Sequence, residues 1–299
     1  MNPRSQTVPA ATSSVFADLH LHTRFSDGTF APEELAEEAH RLGFGCVAIT
    51  DHDTVEGCPA MSRACAERGM EFIPGVELTA ELEGLEIHIL GYGFDLQDEP
   101  FLQAMRGFQT VRQQRIRDMV ARLNEMNIPL DADRVFALAN CRSPGRPHVA
   151  RALVEAGICR DLDEAFERFL KKHRPAWVPK SRIPAHEAIA LLHRAGGVAV
   201  LAHPGLYYAD PHLPELVRAG LDGLECFHTK HSPSLTEHYL SLAARHGLLV
   251  TGGSDCHGYS KGQPLVGSVR LAHEFVVQLQ ARIAQRTAER QQKLHSTLS

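Results

Sequence analysis

No run of about eighteen or more apolar residues occurs in this chain, which excludes a membrane-spanning helix of ordinary length. The stretch Met1 to Ser14 carries one Arg among small and polar residues in place of an apolar segment, so a disordered start and a cytoplasmic protein are expected. No CxxC pair is present. The seven cysteines are odd in number and scattered, which argues against both a disulfide framework and a structural zinc knuckle and leaves reduced, mostly buried thiols. Basic excess is missing too: a formal charge of -5 and a pI near 6.4 exclude a broad basic surface coating long nucleic acid. Any phosphate must be held locally. There is no internal repeat or extended low-complexity segment, and the oligomeric state is not legible.

What remains is an ordinary globular composition, 43% hydrophobic and 22% charged over 299 residues, enough for one large domain or two moderate ones. Against one Trp and five Tyr stand 18 histidines. Histidine both ligates metals and titrates near neutrality, so its pattern matters. From Phe16 the chain alternates strand and helix: FADLHLHT, APEELAEEAHRLG, CVAIT, SRACAERG, MEFIPGVELTA, GLEIHILGYGF. That alternation predicts a parallel sheet, open or closed into a barrel over residues 15–95. Residues 96–182 read instead as long charged amphipathic helices, a helical insertion holding one loop, CRSPGRPHVAR. The strand and helix grammar resumes over 183–275, and 276–299 is expected to begin as a helix and fray into a tail.

Chemistry gathers at the ends of predicted strands. In order they offer His20 and His22, Asp51-His52-Asp53, Glu77, His88, His203, His228, and Asp255 with His257. In an α/β sheet that edge is where loops converge and ligands bind. The H-x-H spacing puts both imidazoles on one strand face with Leu19 and Leu21 opposite, so two ligands can share one ion. The same period of two applies to Asp255 and His257, with Cys256 expected to point into the core. Imidazole nitrogen and carboxylate oxygen suit Zn²⁺ or Mn²⁺, and a carboxylate such as Glu77 can bridge two ions. More than one metal is expected.

DLHLHTRFSDG, TDHDTVEG, PGVELTA, the His of EIHILGY, AHPG and GGSDCH, in this order, resemble the signature motifs of the PHP (polymerase and histidinol phosphatase) family. The resemblance spans residues 16 to 95 and 183 to 270. It implies an α/β fold, a distorted (β/α)7 barrel with an inserted helical lid, and three divalent ions at the C-terminal rim, Mn²⁺ first with Zn²⁺, Mg²⁺ or Fe as alternatives. It further implies that His20, His22, Glu77 and Asp255 hold one ion, Glu77, His88 and His203 a second, and Asp27, His52 and His257 the third. GRPHVARAL, WVPK, AGGVAVLAHPG and LECFHTKHS are more narrowly similar to the branch acting on nucleotide phosphates, nucleoside 3',5'-bisphosphates or short 5'-phosphorylated RNA ends. A metal-bridging water is then the expected nucleophile, with Arg142, Arg146, Lys180 and His228 contacting phosphate oxygens or protonating the leaving group.

Other residues are expected to have ordinary roles. His40, His186, His193, His212, His238, His246 and His273 fall on predicted helices or loops away from the rim and are expected to be unremarkable; His231 stays open. Asp51 and Asp53 are expected to orient His52 or its loop, and the run Arg112 to Arg122 to form a solvated helix face with i,i+4 pairs. A histidinol phosphate phosphatase would share every ligand and differ in the lid. An amidohydrolase also uses H-x-H but fits the Glu77/His88 pair and the SDCH ending less well. A scaffold that has lost activity fits a full ligand set worse still.

Overall fold

The computed structural model describes residues 16–207 and 210–298. The expected disorder of residues 1–14 lies outside them. Strands β1 (Phe16–Leu21), β2 (Phe44–Ile49), β3 (Glu71–Leu82), β4 (Leu85–Tyr92), β5 (Ile183–Pro184), β6 (Val198–Leu201), β7 (Gly223–His228), β8 (Leu249–Gly253) and β9 (Leu271–Ala272) form one sheet. The helices are α1 (Pro32–Arg41), α2 (Cys58–Glu67), α3 (Glu99–Glu125), α4 (Ala132–Ala139), α5 (Arg146–Glu155), α6 (Leu162–Ala165), α7 (Ala185–Arg194), α8 (Leu213–Arg218), α9 (Pro233–His246) and α10 (His273–Leu298).

The sheet runs β8-β7-β6-β4-β3-β2-β1-β9. Beyond β8, a parallel bridge between Leu21 and Cys256, with His22 N–H donating to the Cys256 carbonyl and Asp255 N–H to that of His20, brings β8 back to β1 and closes the barrel. β3 serves both halves because residues 71–74 pair with β2 and residues 75–82 with β4. A Cβ at Gly75 would lie 2.5 Å from the Ile49 carbonyl oxygen, so only glycine allows β2 and β3 this close. One expectation is corrected here: the sheet is not all parallel. β4 pairs antiparallel with both β3 and β6. It is joined to β3 by the short turn at Glu83 and Gly84, which cannot make a parallel crossover. His88 therefore reaches the mouth from the first half of its strand, not from a C-terminal end.

Helices α1, α2, α7 and α9 cover the outside of the barrel through Leu35, Met61, Ile189 and Tyr239. Alternate residues of β1, β2, β4 and β6 (Leu19, Ala48, Tyr92, Val200) pack together with Val276 and Leu279 of α10. α10 runs as one helix from His273 to Leu298. Its Arg282, Arg286 and Arg290, four residues apart on one face, pair with Asp222, Asp95 and Asp98 of the barrel and its loops.

The stretch after β4 is helical and has its own cluster, in which Ile116, Met119 and Leu123 of α3 meet Val135, Val149 and Leu153. Its edge is not sharp. Phe101 and Met105, at the start of α3, belong to the barrel's outer core, so α3 is shared by both parts.

Candidate metal centre

Glu77 stands at the middle of the mouth. Its Oε1 lies 2.6 Å from His88 Nδ1 and 3.0 Å from His203 Nε2, while Oε2 lies 3.0 Å from His52 Nδ1, 3.3 Å from His22 Nε2 and 3.6 Å from His20 Nε2. Asp255 Oδ1 is 3.2 Å from His22 Nε2 and 3.5 Å from His20 Nε2. Asp27 Oδ1 is 3.3 Å from His257 Nε2 and 3.9 Å from His52 Nε2. Residues from position 20 to position 257 thus converge on one place. Burial alone would raise the Glu77 carboxyl, but the His52, His88 and His20 imidazoles outweigh it and hold it well below the usual carboxylate range.

The backbone is bent to make this possible. Asp53, His203 and Asp255 adopt φ of 53°, 28° and 53°, a region uncommon for side-chain-bearing residues, and such strain collects at functional sites. A Cβ at Gly253 would come within 2.3 Å of His20 Cβ, so glycine lets β8 approach the H-x-H strand. In β7 a register shift between Glu225 and Phe227 inserts one extra residue, a bulge that breaks the period of two. Glu225 and His228 consequently both face the mouth.

Two carboxylates behind the cluster are well supplied with donors. Asp51 accepts hydrogen bonds from Thr23 N–H, Thr23 Oγ1 and Ser26 Oγ, fixing the loop that carries Asp27 more than His52 itself. Asp53 accepts from Arg112 Nε of α3 at 2.5 Å and Thr79 N–H at 3.3 Å. Cys256 is buried in the outer core, as expected. In contrast, His20 Nε2, both nitrogens of His22, Asp27 Oδ1, His52 Nδ1, Glu77 Oε2, His203 Nδ1 and His228 Nε2 are buried without a hydrogen-bond partner among the described residues. Buried polar atoms left so are costly, and here all but His22 Nδ1 and His203 Nδ1 face an opposite partner of the cage at ion-pair distance without hydrogen-bond alignment. Nitrogen and oxygen donors so placed fit shared divalent cations. Four overlapping sets have ligand atoms within 4.8 Å of one another: His22, Asp27, His52 and His257; His20, His22 and Asp255; His20, Glu77 and His203; His52, Glu77 and His88.

Above the cluster lies a cavity of about 280 Å³ whose wall includes Arg112, Arg115, Arg146, Lys180 and Tyr207. Lys180 Nζ sits 2.9 Å from Glu86 Oε1 and 3.1 Å from His88 Nε2. Two expected phosphate contacts are placed elsewhere. Arg142 is exposed and pairs with Glu56 at 3.5 Å on a separate surface hollow. His228 has a fully buried side chain, with Nε2 3.6 Å from Asp255 Oδ2 and Nδ1 accepting from Lys230 N–H, so it touches the cage and not the cavity wall.

The helix-face reading of Arg112 to Arg122 is also corrected. Arg112 and Arg115 are buried, Arg112 against Asp53 and Arg115 donating to the Val178 carbonyl, because α3 turns this face toward the mouth. Sequence reasoning missed Arg115, Glu225 and His148. A lone Glu inside the otherwise apolar strand GLECF was the available signal for Glu225. Of the histidines expected to be unremarkable, His193 pairs with Asp222 at 2.8 Å and His238 with Asp210 at 2.6 Å, both away from the cage. His231 Nδ1 donates to the Cys226 carbonyl within the bulge.

A closed, distorted barrel with a His, Asp and Glu cage at its mouth defines a class of metal-dependent hydrolase, and the family model for the PHP domain matches residues 18–229. The chain belongs to the PHP domain family and is a metal-dependent phosphoesterase. It is similar to the 5'-3' exoribonuclease Rnm of Salmonella typhimurium, 36% identical over 82% of this chain and 86% of that protein. It is likewise similar to the 3',5'-nucleoside bisphosphate phosphatase of Chromobacterium violaceum, 33% identical over 84% of this chain and 90% of that protein. A crystal structure of a Bifidobacterium adolescentis protein assigned as a metal-dependent phosphoesterase superposes with a TM-score of 0.81 at 37% identity, covering 89% of this chain and 96% of the other.

Proposed function

We propose that this enzyme cleaves the 3'-phosphoester of a nucleotide that also carries a 5'-phosphate, whether a nucleoside 3',5'-bisphosphate or the first nucleotide of a short RNA. The observation that carries the reading is a pair of guanidinium groups facing the cavity, Arg115 buried and Arg146 half-buried, with no carboxylate in ion-pair contact. Arg115 donates to the Val178 carbonyl and Arg146 to that of Leu170, and neither forms an ion pair with a carboxylate among the described residues. Burial, with Arg146 and Arg112 close by, pushes the Arg115 guanidinium down to about 9. A planar fork in this state is matched to phosphate oxygens. The similarity to a bisphosphate phosphatase and to a 5'-3' exoribonuclease supports the same substrate class.

In this reading His20, His22, Glu77 and Asp255 hold one divalent ion, Glu77, His88 and His203 a second, and Asp27, His52 and His257 a third. Such ions lower the pKa of water and neutralise phosphoryl oxygens. The chain does the rest. Arg115 and Arg146 anchor the second phosphate and so set where the ester falls; Lys180 adds a point charge beside His88; His228 steadies Asp255 from beneath.

The test is phosphate release from adenosine 3',5'-bisphosphate by protein stripped with chelator and reloaded with Mn²⁺, beside histidinol phosphate and adenosine 3'-monophosphate. Preference for the bisphosphate, with Arg115→Ala and Arg146→Ala raising KM and leaving bound metal unchanged, is expected. Equal turnover of adenosine 3'-monophosphate, or faster turnover of histidinol phosphate, overturns the reading.

A further inference from the structure

A second cavity, of about 370 Å³, opens between α3 and the edge formed by β3 and β5. It shares Arg112, Arg115 and Lys180 with the cavity over the metal cage, so those three side chains form a common wall. Its other surfaces have a different chemistry. Ala104, Gly107, Phe108 and Val111 line it from α3, and Ile183 from β5. Val111 is 42% exposed there, an apolar side chain left at the rim.

Gly107 is the informative residue. It lies in the interior of a 27-residue helix, where glycine is less favourable than any residue except proline. No left-handed backbone calls for it, since Gly107 is absent from the positive-φ glycines. Nor does packing, because a Cβ there would meet nothing within 4 Å. Helix stability is given up at a place where the gain is open space in the cavity.

We propose that this cavity receives the base of the nucleotide whose 3'-ester is cleaved. The inference rests on the substrate class argued above and adds a subsite to it. A base is flat and apolar on its faces, and stacks on aromatic rings and on guanidinium planes. Phe108 and the Arg112/Arg115 wall supply both, while the same arginines face the phosphate cavity on their other side. Sugar and phosphates would stay over the cage as the base turns across the shared wall. Recognition through stacking is tolerant of base identity, so purine and pyrimidine nucleotides should both be accepted.

The experiment measures binding of adenosine 5'-monophosphate and of ribose 5-phosphate to the Mn²⁺-loaded enzyme by calorimetry, with Gly107→Leu and Ala104→Leu as cavity-filling variants. Both replacements put a strong helix former into α3, and thermal melting reports that each is folded. Adenosine 5'-monophosphate is expected to bind the wild type at least about tenfold more tightly than ribose 5-phosphate. In the folded variants that advantage should vanish while ribose 5-phosphate binds as before. An undiminished preference for the base-bearing ligand, equal weakening of both ligands, or no preference in the wild type overturns the proposal. Phosphate release from adenosine 3',5'-bisphosphate by the wild type is a separate readout. If that fails while the preference and its loss are seen, the substrate reading falls and the base cavity stands.

Discussion

Glu225 Oε1 meets His20 Nδ1 at 2.9 Å in a wholly buried contact, and its other oxygen accepts from the His203 backbone N–H at 2.7 Å. Burial would raise this carboxyl, but the His20 imidazole and its hydrogen bond hold it below its ordinary value. An ionised carboxylate makes Nδ1 the hydrogen-bond donor and leaves the Nε2 lone pair of His20 free, facing Glu77 and Asp255. Glutamine at this position can accept only one of the two hydrogen bonds. Glu225→Gln is expected to weaken metal affinity about 10–100-fold, with metal-free thermal stability falling far less. Titration of Mn²⁺ into apo-protein measures it, and unchanged affinity would remove Glu225 from the site.

The Arg112–Asp53 contact joins α3 to the loop holding His52, with side chains only 10% and 8% exposed. Breaking a buried pair from one side strands the other charge. Arg112→Met is expected to cost about 3–5 kcal/mol, and adding Asp53→Asn, which tolerates the positive φ, should restore part of it. Urea unfolding of the single and double variants checks this; strictly additive losses would show that the pair does not act as a unit.

His148 gives a pH dependence whose sign is set by its burial. Desolvation pushes this imidazole down to about 4, and its Nδ1 accepts from Gly145 N–H at 3.0 Å, which requires the neutral ring. The unfolded chain takes up the proton at its ordinary value of 6.5, so the contribution is complete above that pH and is lost as pH falls toward 4. His148→Gln, which keeps an acceptor, should lose on the order of 2–3 kcal/mol less stability than the wild type across that interval. Parallel stability curves would contradict it.

The cage was legible because its signal is local and repeated. A period of two puts His20 with His22, and each later ligand follows a short β-branched run, so strand ends could be read one at a time. Features that depend on how segments meet were hidden. The antiparallel course of β4 follows from a tight turn that leaves its residue pattern almost unchanged. Arg112 and Arg115 have the spacing of a solvated helix face, and only the docking of α3 on the barrel mouth buries them. Arg142 and Arg146, four residues apart on one loop, read alike, yet the start of α5 turns Arg146 inward while Arg142 stays with Glu56. Glu225 needed the bulge in β7 to be seen as a partner of His20.

Glu77, touched by five imidazoles, is the carboxylate around which we propose that the cations assemble. Elemental analysis of purified protein after dialysis with Mn²⁺ measures this directly, on the wild type and on Glu77→Ala. More than one ion per chain in the wild type, and a drop of more than one ion in the folded variant, is the expected result. A wild type that retains no divalent metal, or a Glu77→Ala protein that keeps its full complement, would contradict it.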